Sequence, residues 1–244
     1  MSAAEMVPSV AVRPRAPRSL HLIDIPLPAL GPDEVLVRVK EVGYCGTDRE
    51  IIEGHFGSAP DSSESLVIGH ETLGVVEEVG SNVAGLRPGD LVTATARRPC
   101  DCPQCLGGEP DFCSKFGYRE RGIIGLHGYL TERFVERAEH LVQVPEAIAH
   151  LGVLTEPTSV AEKAWRVAQA VQSRLTTWRP ESAFVIGAGP IGVLATFVLR
   201  ARGLAVSTLD LKTAPNAAEA IVTQAGADYV CTAELSPAEL RAAL

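Results

Sequence analysis

The string Gly187-Ala188-Gly189-Pro190-Ile191-Gly192 constrains this chain more than any other, because it falls where a buried-strand run, Ala183 to Ile186, gives way to a helical pattern, Ile191 to Arg202. In that setting the first glycine permits a tight turn and the second lets backbone approach a pyrophosphate. The third lets helix and strand pack closely. A pyrophosphate would rest on helix-terminal N–H groups and the positive end of the dipole. A ligand-free tight turn is the competing reading, and the strand-turn-helix context makes it the weaker one. Asp210 ends the next strand, 18 residues beyond Gly192. A carboxylate there hydrogen-bonds the ribose hydroxyls of NAD and repels a 2′-phosphate, although Lys212 would tolerate one. NAD is favoured over NADP.

A second constellation lies upstream: Cys45 with Thr47 two residues on, then the adjacent pair His70-Glu71. Thiolate, imidazole and carboxylate form the mixed ligand set of a catalytic zinc that keeps one position open. The Thr47 hydroxyl is placed to pass a proton between substrate and solvent. Either motif alone would read as a buried thiol or a scattered histidine. Both together, ahead of a nucleotide turn, favour zinc.

Cys100, Cys102, Cys105 and Cys113 follow as C-x-C-x2-C-x7-C. Four thiolates so close suit a closed, tetrahedral structural zinc; reduced, unliganded thiols are the alternative. Cys100 lies one residue nearer Cys102 than a regular C-x2-C places it, so the loop must reroute for Cys100 to ligate. Clustered cysteines of this kind suit a reducing compartment, and a cytoplasmic protein is expected.

With 244 residues and 46% hydrophobic content the chain can bury a substantial core in one or two domains. Its net charge of -8 argues against nucleic acid or anionic membrane as a partner. The apolar run Ala183 to Leu199 carries three glycines and a proline, which suits strand-turn-helix better than a membrane span. Short strands are expected over Val35 to Lys40, Leu73 to Val79, Leu91 to Thr95, Tyr129 to Val135 and Leu141 to Val144. With turns such as Arg87-Pro88-Gly89-Asp90 between them, they predict a small barrel-like β domain. The texture changes near Thr158. Helix Val160 to Val171, strand Ala183 to Ile186 and helix Ile191 to Arg202 come first. Strand Leu204 to Leu209, helix Ala217 to Gln224 and strand Asp228 to Cys231 complete a βαβαβ order, with one more helical stretch from Pro237.

Taken together, these residues resemble the zinc-dependent medium-chain dehydrogenase/reductase superfamily. The Cys45-Gly-Thr-Asp48 string, Gly69-His70-Glu71, the cysteine lobe and the Gly187 to Gly192 turn stand in that family's order. Within it the chain is most similar to the glucose 1-dehydrogenase branch, on Arg97-Arg98-Pro99-Cys100, Pro110-Asp111-Phe112-Cys113, Glu120-Arg-Gly-Ile123, His127-Gly128-Tyr129 and Glu156 to Lys163. The resemblance implies an α/β architecture: a GroES-like β-barrel catalytic domain over 1–157, then the first half of a Rossmann, doubly wound parallel sheet over 158–244. It implies that Cys45 and His70 bind the catalytic zinc, with Glu156 as third ligand, directly or through water, and Glu71 as an alternate or supporting ligand. Thr47, Glu120 and Glu156 would meet sugar hydroxyls. Gly187, Gly189, Pro190, Ile191, Gly192, Asp210 and Lys212 would hold the cofactor.

The implied activity is oxidation of the C1 hydroxyl of an aldose such as glucose, with hydride transfer to NAD(P) and a homo-oligomeric full-length form. The alternatives are a zinc alcohol or polyol dehydrogenase, or a non-catalytic zinc-binding fragment. Ala96 and Val160 stand where some family members place polar substrate contacts, which leaves the preferred sugar open. The family continues for roughly a hundred residues more, a large share of a typical domain, so Leu244 is expected to end a fragment.

Overall fold

The computed structural model describes residues 5–233 together with 235, 236 and 238, and these fall into two units that divide after Glu156. The Pro237 stretch lies outside the described residues. In chain order the first unit holds strands β1 (Met6–Val12), β2 (His21–Pro26) and β3 (Glu34–Gly43), helix α1 (Gly46–Ile52), and strands β4 (Leu66–Val67), β5 (Glu71–Val79), β6 (Leu91–Ala94) and β7 (Arg97–Arg98). Helix α2 (Pro103–Leu106) and strands β8 (Arg119–Arg121), β9 (Gly125–Leu126), β10 (Arg133–Arg137) and β11 (Leu141–Gln143) follow. Helix α3 (Thr155–Gln172) spans the division. The second unit continues with β12 (Ser182–Ile186), α4 (Pro190–Ala201), β13 (Ala205–Asp210), α5 (Ala217–Gln224) and β14 (Asp228–Cys231).

The centre of the first unit is an antiparallel sheet in the order β10-β3-β5-β6-β11. Alternation decides its faces: Val35 and Val37 of β3 point inward with Val76, Val92, Ala94 and Phe134, and Tyr129 fills the core between them. A smaller sheet, β2-β1-β4, lies in the same unit, and a third, β7-β8-β9, carries the segment after the cysteines. β1 and β2 pair from Met6↔Pro26 to Ala11↔His21. The segment expected as a strand from Tyr129 becomes regular only at Arg133. Before that, Tyr129 and Leu130 donate to Gly69 and Ile68, while Val10 and Glu132 bond across to Leu130 and Pro8. Its partners change within four residues, so no single ladder forms.

In the second unit β12, β13 and β14 are parallel, in register Ala183↔Val206 and Thr208↔Tyr229. Val185, Val206, Val222 and Leu204 form the core, with Trp165 packed against it. Helix α3 begins five residues earlier than the expected Val160, through Thr155, whose hydroxyl donates to Gly152 O at 2.7 Å. Among the described residues no helix is long and apolar enough to cross a membrane.

A buried ion cluster holds the loop before β10 to the sheet. Glu136, 4% exposed, takes Arg98 on one side and Arg121, at 2.9 Å, on the other. Arg98 also donates to the Tyr129 hydroxyl at 3.1 Å. Burial works against ionisation of Glu136, but Arg121 and Arg98 outweigh it and hold the carboxyl below its usual range. A depressed folded-state pKa contributes stability that is present above the unfolded-state value and lost as pH falls through the folded one. Glu136→Gln leaves two guanidinium groups partly buried without their anion and is expected to cost about 3–5 kcal/mol near neutral pH. In urea titrations the gap between the variant and the parent should narrow as pH falls below the ordinary carboxylate pKa. A constant gap would contradict the assignment.

Candidate active site and metal centres

The register of two adjacent strands brings the first constellation together. β3 and β5 pair antiparallel with Gly43 opposite Glu71, so the residues just past the end of β3 lie beside those just before β5. Cys45 Sγ and His70 Nε2 are 3.3 Å apart. A tetrahedral zinc with ordinary bonds to sulfur and nitrogen separates those ligands by about 3.6 Å, so the pair fits one ion.

Cys45 is the N-cap of α1 and its sulfur accepts the Thr47 N–H at 3.3 Å. Asp48 completes the cap from the third helical position, accepting the Cys45 N–H at 3.0 Å. Its other oxygen accepts the Gly69 N–H at 3.1 Å and faces His70 Nδ1 at 3.7 Å. One buried carboxylate thus ties down the backbone beside both ligands and orients the imidazole. Sequence reasoning missed Asp48; its signal was the capping-box spacing Cys45-x-x-Asp48.

Glu71 and Glu156 gather around the same histidine. The ligand atoms of Cys45, Asp48 and His70 lie within 4.8 Å of one another, as do those of His70, Glu71 and Glu156. His70 is common to both groups. Burial alone would lower the His70 pKa, yet the Cys45 sulfur and the carboxylates of Asp48 and Glu156 push it up to about 9. Burial raises Glu156, and its acidic neighbours Glu71, Glu120 and Asp48 raise it further against the pull of His70. Glu71 moves up as well, mainly through burial. So many anionic groups around one imidazole make a field that a divalent cation satisfies.

All four lobe cysteines meet. Cys100 Sγ lies 3.5 Å from Cys113 and 3.8 Å from Cys105, and Cys102 lies 3.8 Å from Cys113. Sulfurs at the corners of a ZnS4 tetrahedron stand about 3.8 Å apart. Cys102 caps α2, and the Cys105 N–H donated to its sulfur at 3.5 Å lowers its pKa. The short step from Cys100 to Cys102 therefore does not keep Cys100 out of the cluster.

Glu120 sits on β8 opposite Arg97 of β7 and is paired with it. His127 accepts the Val67 N–H on Nδ1 at 3.2 Å. Two glycines press on the peptide before His70. A Cβ on Gly128 would meet Gly69 O at 2.3 Å, and one on Gly122 would meet it at 2.5 Å.

The nucleotide turn is built as its sequence requires. Gly189 is the N-cap of α4 and Pro190 its first residue, with Ile191 partly exposed beside it. A Cβ on Gly192 would lie 1.8 Å from Gly187 O, so only glycine lets the helix start this close to the strand. Asp210 accepts the Ala188 N–H at 2.6 Å and the Lys212 N–H at 3.0 Å, which hold its carboxyl below the usual range.

Comparison with known proteins agrees with this geometry. Residues 31–146 match the alcohol dehydrogenase GroES-like domain, and residues 149–243 match the glucose dehydrogenase C-terminus. The chain belongs to the zinc-dependent medium-chain dehydrogenase/reductase superfamily. Its relatives fall in the glucose 1-dehydrogenase branch. The glucose 1-dehydrogenase of Methanocella arvoryzae is 47% identical over 91% of this chain and 62% of its own length. That of Thermoproteus tenax is 40% identical, over 91% of this chain and 63% of its own. The solved Haloferax mediterranei glucose dehydrogenase, in complex with NADP, Zn and gluconolactone, superposes with a TM-score of 0.84 at 35% identity. It covers 97% of this chain and 67% of the Haloferax chain. This chain therefore spans less than two thirds of the length of the sequence relatives it matches.

Each metal cluster is expected to carry one zinc ion. Cys45→Ser should remove one by elemental analysis, and Cys102→Ser the other; an unchanged zinc content in either variant would refute its site. Gly128→Ala should destabilise the fold by about 1–3 kcal/mol through overpacking. It should also weaken zinc at Cys45 and His70 more than zinc in the cysteine lobe, as a chelator competition would show.

Proposed function

We propose that this chain is the metal-holding and nucleotide-holding part of an aldose 1-dehydrogenase, oxidising the C1 hydroxyl of a sugar such as glucose to the lactone with NAD(P) as hydride acceptor. The observation carrying this reading is the meeting of Cys45 Sγ and His70 Nε2, ringed by carboxylates, in a chain that also holds an intact dinucleotide turn. The names of its relatives support the same substrate class.

The residues divide the work. Cys45 and His70, with Glu156 or Glu71, would hold zinc, which when bound supplies Lewis acidity that favours the alkoxide form of the substrate hydroxyl. Thr47 would take the hydroxyl proton and pass it toward solvent, and a nicotinamide cofactor held at the Gly187–Gly192 turn would supply the acceptor for the C1 hydride. The electron pair left by the proton closes the C1 carbonyl, which gives the lactone. Glu120 and Glu156 accept hydrogen bonds from neighbouring hydroxyls and so select a polyhydroxy substrate. Cys100, Cys102, Cys105 and Cys113 hold a second zinc with no open position.

The cofactor reading is NAD ahead of NADP. Asp210 is fixed by two backbone N–H groups at the end of β13, where a 2′-phosphate would meet a like charge. Replacing Asp210 by Ser should move the preference toward NADP, measured as the ratio of kcat/KM values for the two cofactors; an unaltered ratio would count against the ribose role. Assays of the full-length gene product with glucose, galactose, sorbitol and simple alcohols test the substrate class. Turnover of sorbitol or alcohols without aldose turnover would replace this reading by the polyol or alcohol dehydrogenase one. Zinc binding with no reduction of either cofactor would leave a non-catalytic metal-binding protein.

A further inference from the structure

We infer that Arg97 is a positioning residue that couples the cysteine lobe to the substrate-facing carboxylate of Glu120. This rests on the reading of Glu120 as a hydroxyl acceptor. Arg97 reaches across β7 and β8 and places Nε at 2.8 Å and Nη2 at 2.7 Å from the same oxygen, Glu120 Oε1. Charge-assisted bonds of this kind fix a side chain's rotamer as well as its charge.

The remaining faces of the guanidinium belong to the cysteine lobe. Nη1 donates to Pro110 O at 3.2 Å and stands 3.7 Å from Asp111 Oδ1. Its plane covers the Tyr118 ring at 4.2 Å. Pro110 to Phe112 form a 3-10 turn that runs directly into Cys113, and Tyr118 packs on the cysteine cluster. Every contact Arg97 makes on that side is therefore set by a segment whose shape the four sulfurs determine. A lysine keeps the charge but loses the fork and the stacking face. Loss of the lobe's metal would let Pro110, Asp111 and Tyr118 shift, and Arg97 would carry that shift to Glu120.

Coupling of this kind is reciprocal, so it is readable from the lobe without any turnover. In a Cys45→Ser background, which leaves metal in the lobe alone, Glu120→Gln should speed zinc loss to a chromogenic chelator several-fold, and Arg97→Lys should abolish that dependence on Glu120. Separately, Arg97→Lys in the full-length protein with both zinc ions retained should raise KM for glucose about tenfold and change kcat little, the pattern of lost binding rather than lost fold. Leu in place of Tyr118, which spares every metal ligand, should raise KM in the same direction. Zinc loss indifferent to Glu120, or effects of the two substitutions that simply add, would overturn the proposal, as would a fall in kcat at constant KM. If the full-length protein turns over no aldose, the functional reading fails and the zinc-loss measurement alone decides the coupling.

Discussion

One buried carboxylate underlies the arrangement of the first unit. Asp48, 1% exposed, spends its two oxygens on the amides of Cys45 and Gly69, residues that begin or precede the two main ligand positions. Burying a charge is costly unless it is hydrogen-bonded and compensated. Two backbone donors supply part of that compensation and the His70 ring, 3.7 Å away, supplies more. With Glu71 and Glu156 also present, one imidazole is set among three carboxyl groups and a thiol. The rise of His70 to about 9 expresses that imbalance. Such a cluster of acidic groups around one imidazole suits a divalent cation.

The chain uses thiols in two different ways, and the surrounding groups determine which. In the lobe, four sulfurs gather with the distances 3.5–3.8 Å that a ZnS4 tetrahedron would use, and a metal held by all four would have no position left for substrate. At Cys45 a single sulfur meets one nitrogen and carboxylates that form two overlapping groups sharing His70. A mixed ligand set that leaves one position open is what an exchangeable site would require. The closed site shapes backbone, and the open one is suited to chemistry.

Legibility in the sequence followed the range of the interactions. The helix over Ala217–Gln224 and the strand over Asp228–Cys231 match their expected limits, because a 3.6-residue period, a capping box at Asn216 and a short run of strand-forming residues are all local signals. In the antiparallel unit strand limits depend on which partner is alongside. Tyr129 to Glu132 read as strand yet divide their bonds between two neighbours, and β1 and β2 carried no recognisable motif. Cys45 and His70 were visible as types with a known chemistry. Asp48 and Arg97 were not, since an acid in a first turn and a basic pair before a cysteine are common on surfaces. Only the fold shows the first to be buried and the second to touch Glu120, Pro110 and Tyr118 at once.

The meeting of Cys45 and His70 depends finally on two matched irregularities in the β3–β5 ladder: Leu36↔Glu78 is followed by Val37↔Val76, which leaves Glu77 extra in β5, and a second shift in β3 restores the register. Pairing with β5 runs Val39↔Gly74 and then Glu41↔Leu73, so Lys40 is the extra residue of a bulge. With the shift at Glu77 kept but Lys40 drawn into regular pairing, Gly43 would face His70 instead of Glu71, and Cys45 would slide by one residue, about 3.3 Å. A slip of one also turns each side chain to the opposite face of the sheet. The sulfur would then lie apart from the imbalance of charge around His70, and Asp48 could not reach both amides. Bulges beside active sites are known to re-aim side chains in this way. Here the bulge sets the register on which the ligand pair, its carboxylate brace and the proposed chemistry all stand.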